Sequence, residues 1–161
     1  MIPYWKMTPK EFLPVLRELA RCYQAFESYS SSHVRSLGLT PSQFDIIATL
    51  GNTDGMTFKQ LGEKTLITKG TLTGVIDRLT SKKLVQRIAA PHDRRSQIVQ
   101  LTTEGEALFA RIFPAHLEHI GGAFDHVTPE DLSKALGTLC SLTRIFKQEA
   151  VETQPARILN N

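Results

Sequence analysis

The residues most able to do chemistry in this sequence are cations that lie close together in the chain. Eight Lys and Arg side chains fall between Lys64 and Arg95, opposed there only by Asp77 and Asp93, so this segment carries a formal charge of +6. The complete 161-residue chain carries +3, which leaves −3 for the remainder. A run of charges is usually a solvated face, but a basic segment in an otherwise acidic chain is typical of a polyanion-binding surface.

The sequence contains none of the common enzyme motifs. It has no HExxH, no P-loop, no GxGxxG and no GxSxG, so we expect a binding protein without a cofactor. No apolar run approaches the roughly 20 residues that cross a bilayer, and the N-terminus lacks the apolar centre of a secretory signal. Two cysteines do not make a disulfide framework. We therefore expect a cytoplasmic protein with no membrane partner.

Helix starts are indicated by Thr residues followed three positions later by an acid or amide, the spacing of a capping box. The five instances are Thr8–Glu11, Thr40–Gln43, Thr57–Gln60, Thr103–Glu106 and Thr128–Asp131. In three of them Pro follows the Thr, at the first helical position, where its missing N–H does no harm. Pro14 complicates the first instance, because an interior proline would kink the helix, so the first helix could start nearer residue 13.

Apolar periodicity then predicts six helices and a β hairpin. The helices cover about residues 8–37, 41–50, 58–65, 69–82, 104–124 and 129–150, and the strands cover residues 84–89 and 97–101 with a polar, basic loop between them. Only Leu66-Ile67-Thr68 separates the third helix from the fourth, which is a helix-turn-helix arrangement, and the hairpin after it reads as a wing.

The predicted fold class is therefore mainly α with a small β wing: a winged helix-turn-helix domain plus long N- and C-terminal dimerisation helices. We expect residues 38–103 to form the DNA-binding domain and residues 8–37 and 104–150 to form a helical dimerisation region. The first and last helices are amphipathic beyond what one small winged domain can cover. Residues 151–161 have no pattern and are predicted to be a flexible tail.

The fourth helix has the sequence of a DNA reader. Its apolar positions fix a buried side, and the opposite side holds Gly70, Thr73, Gly74, Asp77 and Ser81. Two glycines on an exposed helical face cost roughly 1 kcal/mol each relative to alanine, so they favour close approach of a partner such as a groove wall over a poorly optimised surface helix. Short donors at the N-terminus of this helix are suited to phosphate.

The candidate DNA contacts fall into three groups with different expected roles. Residues of the fourth helix would read bases, the following cations would hold the phosphate backbone, and the wing tip would probe the minor groove. In that order they are Thr68, Lys69, Gly70, Thr71, Thr73, Gly74 and Arg78; Lys82, Lys83 and Arg87; and Asp93, Arg94 and Arg95.

The sequence gives weaker evidence for how the protein is regulated than for DNA binding. Cys22 and Cys140 are candidate redox sensors if their thiols are accessible, although buried structural cysteine is the commoner case. His116 and His119 are three apart, a spacing that can chelate zinc. No local acid or cysteine cluster completes such a site, so we predict no metal and interpret these histidines as surface residues.

At this point the residues resemble the MarR family of bacterial transcription regulators, over about residues 8–150. The segment Leu66–Leu79 carries the strongest likeness, followed by Lys83–Arg87, Asp93–Ser96 and Leu101–Gly105. The family's wing pattern Asp-x-Arg-(Ser/Thr) is matched by Asp93, Arg95 and Ser96, and its Leu-Thr-x-x-Gly pattern follows the hairpin. One departure is Lys83, where many members have glycine before the first wing strand.

The resemblance implies a homodimer whose first, fifth and sixth helices intertwine with those of a second copy. It also implies that the two winged domains bind double-stranded DNA at a pseudo-palindromic operator, most often as a repressor. Many members release DNA when a small aromatic or phenolic effector binds. The alternatives are a redox- or metal-responsive regulator of the same fold, or a winged-helix module that binds DNA architecturally, without sequence preference, or binds protein.

Overall fold

The structure is a computed structural model that describes residues 11–65, 67–90 and 93–152; the side chains of residues 93–96 and 149–152 lie outside this description. The described residues form six helices and three strands. In chain order they are α1 (Phe12–Ser36), α2 (Pro41–Leu50), β1 (Met56–Thr57), α3 (Phe58–Lys64), α4 (Lys69–Ser81), β2 (Val85–Ala90), β3 (Asp93–Leu101), α5 (Thr103–Gly122) and α6 (Pro129–Glu152). The predicted fold class, mainly helical with a small β wing, is confirmed.

Capping boxes begin α2 and α3, as the Thr spacing predicts. The Thr40 hydroxyl accepts from the Gln43 N–H at 3.3 Å, and the Gln43 side chain accepts from the Thr40 N–H at 3.1 Å. Thr57 and Gln60 make the same reciprocal pair at 3.2 and 2.9 Å. Each box satisfies two backbone donors that have no partner within the helix, which fixes where the two helices start.

One predicted helix start needs correction, and another, Thr8–Glu11, begins outside the described residues. The N-cap of α5 is Thr102 rather than Thr103: its hydroxyl accepts from the Gly105 N–H at 3.0 Å, so the cap partner is a backbone group and Glu106 has no part in it. Glu11 precedes α1 in helical conformation, without a side-chain cap. Thr8 falls among the residues that are not described.

The helix ends also differ in part from the predictions. The fifth helix ends at Gly122, two residues before the predicted Phe124. The last helix continues to Glu152, so the first two residues of the predicted flexible tail are helical, and residues 153–161 lie outside the described part. Thr128 caps α6 as predicted, accepting from the Asp131 N–H at 3.1 Å.

The sheet contains a strand that periodicity did not predict. Its order is β1-β3-β2, all antiparallel, with Met56 paired with Val99 and Val85 paired with Leu101. A two-residue strand is too short to show alternation, which is why sequence reasoning missed β1. The second wing strand begins at Asp93, four residues earlier than predicted, so the loop between β2 and β3 is shorter than the predicted residues 90–96.

The contacts divide the chain into two compact units, residues 1–120 and 121–161. The first unit contains one apolar core, built mainly from α2, α4, the sheet and the first half of α5. Its fully buried large side chains are Val34, Ile46, Ile47, Leu50, Leu61, Ile76, Leu79, Val85, Val99 and Ile112. The second unit consists of the end of α5 and α6, in which no described side chain is fully buried.

No helix in the described part of the chain combines the length and the apolarity needed to span a membrane.

Large apolar side chains are exposed along α1 and α6. On α1 they include Phe12, Tyr23 and Phe26, each about half exposed. On α6 they include Leu136, which is 64% exposed, and Leu139, which is 50% exposed. These side chains lie on the first and last helices, which the sequence assigns to dimerisation, and the described chain alone does not bury them.

Candidate nucleic-acid interface

The helix α4 has the two faces predicted from its sequence. Leu72, Val75, Ile76 and Leu79 are buried in the core. The other side is open to solvent, and its exposed residues are Thr68, Lys69, Gly70, Thr71, Thr73, Asp77, Arg78 and Ser81. The buried face therefore anchors a helix whose outer face consists of small residues, hydroxyl groups and a few charges.

No contact among the described residues requires glycine at the two glycine positions of this face. A Cβ atom built at Gly70 meets nothing within 4 Å, and one built at Gly74 meets only the end of the Arg78 side chain at 3.6 Å, an ordinary contact. Neither glycine has a positive φ. Alanine would fit at both positions and is the better helix former, so no contact among the described residues explains the two glycines.

The N-terminus of α4 presents hydroxyl groups rather than a closed cap. The Thr68 hydroxyl accepts no capping hydrogen bond from a backbone N–H of the first turn; it donates instead to the Thr71 hydroxyl at 3.1 Å. Further along, the Arg78 Nε donates to the Gly74 carbonyl at 2.9 Å. This bond holds the guanidinium along the helix surface, on the same side as the glycines.

Arg87 is engaged within the protein, which the sequence did not indicate. Its guanidinium pairs with the Asp77 carboxylate of α4 and lies over the Phe58 ring of α3, 5.3 Å from the centroid. Its Nε is buried without a partner among the described residues. Arg87 therefore joins both helices of the helix-turn-helix to β2, in addition to any phosphate contact. No local spacing signals a pair ten residues apart across a helix and a strand.

Lys82 and Lys83 are exposed at the turn between α4 and the wing. Lys83 has a φ of 59°, in the left-handed region that favours glycine by roughly 1 kcal/mol or more. This geometry accounts for the glycine that the MarR pattern often has here. The turn is held by the Thr102 hydroxyl, which donates to the Lys83 carbonyl at 2.6 Å, so a lysine is accommodated and adds a cation beside α4.

The wing residues are described only by their backbone. Asp93, Arg94 and Arg95 lie in β3, with Asp93 paired with Ala90 and a register shift between Ala89 and Ala90. Their side chains lie outside the described part, so their predicted contacts with the minor groove remain a prediction from sequence.

The candidate sensor residues differ from expectation in their burial. Cys22 and Cys140 are both free thiols and both exposed in the single chain, so their proposed redox role stays a prediction. His116 is buried, with 7% of its surface exposed, so it is not a surface histidine. Within the described residues, no group of three or more His, Cys, Asp or Glu side chains has an arrangement that could hold a metal ion.

Comparisons with known proteins agree on one family. The family model described as MarR family matches residues 37–96. The HTH-type transcriptional regulator MhqR of Bacillus subtilis (strain 168) is 32% identical over 126 residues, which are 78% of this chain and 86% of that protein.

Solved structures show the same fold over most of the chain. AbsC, a MarR family transcriptional regulator from Streptomyces coelicolor, has a TM-score of 0.77 and 22% identity, over 88% of this chain and 97% of its own. BpsR of Bordetella bronchiseptica, solved to show how 6-hydroxynicotinic acid regulates its DNA binding, has a TM-score of 0.73 and 25% identity, over 84% of this chain and 97% of its own.

Proposed function

This chain belongs to the MarR family of DNA-binding winged-helix transcriptional regulators, and from that premise we propose that it is a homodimeric repressor of a pseudo-palindromic operator. Residues 38–103 are assigned to DNA binding, and α1, α5 and α6 to dimerisation. Each winged domain would contact one half-site, with the half-sites about one helical turn apart.

The observation that carries this proposal is the outer face of α4. Small residues and hydroxyls on a rigid, core-anchored helix can approach base edges closely, and Arg78 can reach a guanine or a phosphate. Lys82 and Lys83 lie beside the helix, where they would contact the phosphate backbone. Arg94 and Arg95 at the wing would enter the minor groove.

Selection from a pool of random duplexes tests the proposal directly. A sequence-specific regulator should recover a short palindrome, protect it from cleavage and bind it at least about 10³-fold more tightly than unrelated DNA at physiological salt. Equal binding to every duplex, lost steeply as salt rises, would instead identify an architectural DNA-binding protein.

Replacing Gly74 by alanine should change folding and DNA binding in opposite directions. The Cβ has room in the free protein, and alanine in a helix interior gains up to about 1 kcal/mol in free energy of unfolding. The same methyl group would stand between α4 and the groove wall. We expect a higher midpoint of thermal unfolding together with a loss of about tenfold or more in operator affinity, measured by fluorescence anisotropy.

Gly137→Ala is the matched control, since Gly137 lies within α6 and a Cβ there also meets nothing within 4 Å. Because the added methyl group lies away from α4, this variant should bind the operator with the affinity of the wild type. If Gly74→Ala binds the operator as tightly as the wild type does, α4 does not approach DNA along its glycine face.

An effector site is proposed in a cavity of about 380 Å³ between α1 and α2. Phe26 and Phe44 supply aromatic walls, and Ile67, just before α4, closes one side. A ligand of one aromatic ring fits such a volume. Because Ile67 lies in the turn of the helix-turn-helix, an occupant would contact the segment that sets the position of α4, and could therefore release DNA.

The charge of the cavity indicates which aromatic compounds it accepts. Its lining includes the carboxylate of Glu27 and the hydroxyls of Ser30, Ser31 and Ser42, but no Lys, Arg or His among the described residues. Carboxylates repel an anionic ligand, whereas hydroxyls can bond a neutral phenol. The effector is therefore proposed to be an uncharged phenolic compound rather than an aromatic acid such as the ligand of BpsR.

Resorcinol, neutral at pH 7.5, should bind more tightly than benzoate by about tenfold or more. Calorimetric titration measures both. Glu27→Lys should narrow or reverse the preference by adding a cation to the lining, while Glu18→Lys, on the same helix outside the cavity, should leave it unchanged. Tighter binding of benzoate by the wild type would contradict the proposed charge selectivity.

A further inference from the structure

Three of the five histidines of the chain meet where α1 packs against α5. His33 of α1 stacks on His119 of α5, with ring centroids 4.2 Å apart and planes 6° apart, and Tyr29 stacks on His119 at 4.4 Å. His116 contacts His33 at a centroid distance of 5.2 Å. We call His33, His116 and His119 the histidine cluster. The spacing of His116 and His119 was visible in the sequence, but their meeting with His33 depends on helix packing.

A direct hydrogen bond joins two rings of the cluster. The Nδ1 atoms of His33 and His116 are 2.9 Å apart, and the His116 Nε2 is 3.3 Å from the Ser30 hydroxyl. A bond between two imidazole nitrogens requires that one carries a proton and the other a lone pair. The hydrogen bond between His33 and His116 therefore needs one proton shared by the two Nδ1 atoms. A second proton, on the accepting nitrogen, would remove the bond and place two N–H groups and added charge face to face.

The surroundings of the histidine cluster do not compensate an added positive charge. Among the described residues, the side chains that make ring or hydrogen-bond contacts with it are neutral: Tyr29 and Ser30 from α1 and Phe44 from α2, whose ring meets His116 edge-on at 4.5 Å. The Tyr29 hydroxyl donates to the His119 carbonyl at 2.8 Å. The His119 Nε2 is buried and has no partner in the part of the chain that the structure describes.

The packed elements also carry carboxylates. Glu27 of α1 and Asp45 of α2 line the adjacent cavity, and Glu118 of α5 is exposed between the two histidines of its helix. Burial, followed by the charge of His119, lowers the pKa of His33. Burial, followed by the charges of His33 and His119, lowers the pKa of His116. Both pKa values therefore move in the direction that resists protonation.

The histidine cluster connects the two helices that flank the winged unit, the proposed DNA-binding domain of residues 38–103. His33 is three residues before the end of α1, which continues through Gly38 into α2. The helix α5 follows β3 directly, after Thr102. The His33–His116 bond therefore joins the helix that enters the winged unit to the helix that leaves it, so its loss would loosen the base on which α4 and the wing are held.

We propose that the histidine cluster is a pH-sensitive contact between α1 and α5. In mildly acidic solution its protonation would loosen the packing of these two helices and lower the affinity of the protein for DNA. When the rings are neutral, α1 and α5 stay packed in the arrangement that binds DNA. Protonation favours an arrangement in which the two helices move apart, and by linkage DNA binding favours release of the proton.

The sign of the stability change follows from the two lowered pKa values. Between the ordinary histidine value of 6.5 and the lower value in the folded protein, the unfolded chain binds more protons than the folded chain. Stability must therefore fall as the pH decreases through this interval, and it levels off once the folded cluster is itself protonated. The thermal midpoint of the free protein should show this drop below about pH 7.

The experiment compares DNA affinity at pH 7.5 and 5.5, at constant ionic strength and with EDTA present to exclude metal effects. The probe is the duplex recovered by selection, and histidine ring resonances are titrated by NMR in parallel. We expect wild-type affinity to fall about tenfold or more, a factor equivalent to one pKa unit. In His33→Asn, which keeps a neutral polar atom near the Nδ1 position, and in His119→Phe, which keeps the stack, the fall should be reduced to about threefold or less.

The two remaining histidines provide the controls. His126→Asn lies outside the cluster, and His92→Asn removes the histidine of the wing, where protonation would strengthen binding to phosphate rather than weaken it. His126→Asn should keep the wild-type decrease, and His92→Asn should keep it or enlarge it. A wild-type affinity that is unchanged or higher at pH 5.5, an equal decrease in the two cluster variants, or ordinary titration midpoints for His33 and His116 would each overturn the proposal. The NMR and thermal measurements do not depend on an operator having been found.

Discussion

Replacement of Leu136 and Leu139 by glutamate is expected to convert the protein to a monomer and to reduce operator affinity by about 100-fold or more. Both side chains lie on the apolar stripe of α6 and are at least half exposed in the isolated chain. Burying a leucine is worth roughly 1.5–3 kcal/mol, and a twofold-symmetric interface counts each change twice. Two charges per chain therefore remove the driving force for association, and a monomer would lose the gain from occupying two half-sites at once.

Sedimentation equilibrium at micromolar concentration, with anisotropy titrations on the operator, measures both effects. Ser141→Glu supplies the control, because Ser141 is exposed on the opposite side of α6 and receives one glutamate there, away from Leu136 and Leu139. It should leave mass and affinity unchanged. A double variant that remains dimeric would show that α6 does not form the dimer interface.

Replacement of Gly105 by alanine should destabilise the winged unit by about 3 kcal/mol or more, a large part of the 5–15 kcal/mol typical of a domain. A Cβ built there lies 2.0 Å from the Leu84 carbonyl oxygen and 3.3 Å from the Leu101 Cβ. The obstructing atom is backbone at the start of the wing, so relief requires a shift of α5 or of the turn before β2. Operator binding should be lost with the fold.

Denaturant unfolding followed by circular dichroism measures this change. Gly121→Ala is the control on the same helix, where a Cβ meets nothing within 4 Å, so its stability should be equal to that of the wild type or slightly higher. A Gly105→Ala protein with wild-type stability would mean that α5 does not press on the turn as closely as described.

Gly105 also shows how much of the fold was readable from sequence. The Leu-Thr-x-x-Gly pattern marks it, and the structure gives the reason: Thr102 caps α5 with its hydroxyl while the missing side chain of Gly105 admits the Leu84 carbonyl. Local signals of this kind located the helices to within a few residues and predicted both faces of α4. They failed by one residue at α5, because two consecutive threonines offered equivalent caps.

What could not be predicted depends on contacts between distant parts of the chain. The pairing of Arg87 with Asp77 and Phe58 joins a strand to two helices, and the meeting of His33 with His116 joins α1 to α5. Neither leaves a periodic or spacing signal, since packing angles between elements decide which side chains touch. The burial of His116 was misjudged for the same reason.

The short strand β1 has a consequence for how the chain folds during synthesis. Thr57 is at once the last residue of β1, paired with Ile98, and the N-cap of α3. A ladder that joins positions about forty residues apart raises the contact order, and loops of that length close slowly relative to helix formation. On the ribosome, α2, α3 and α4 would emerge well before β3 is available to pair. The helix-turn-helix should therefore remain loosely held until the wing is complete, so nascent chains stalled before residue 101 should be sensitive to protease and longer ones resistant.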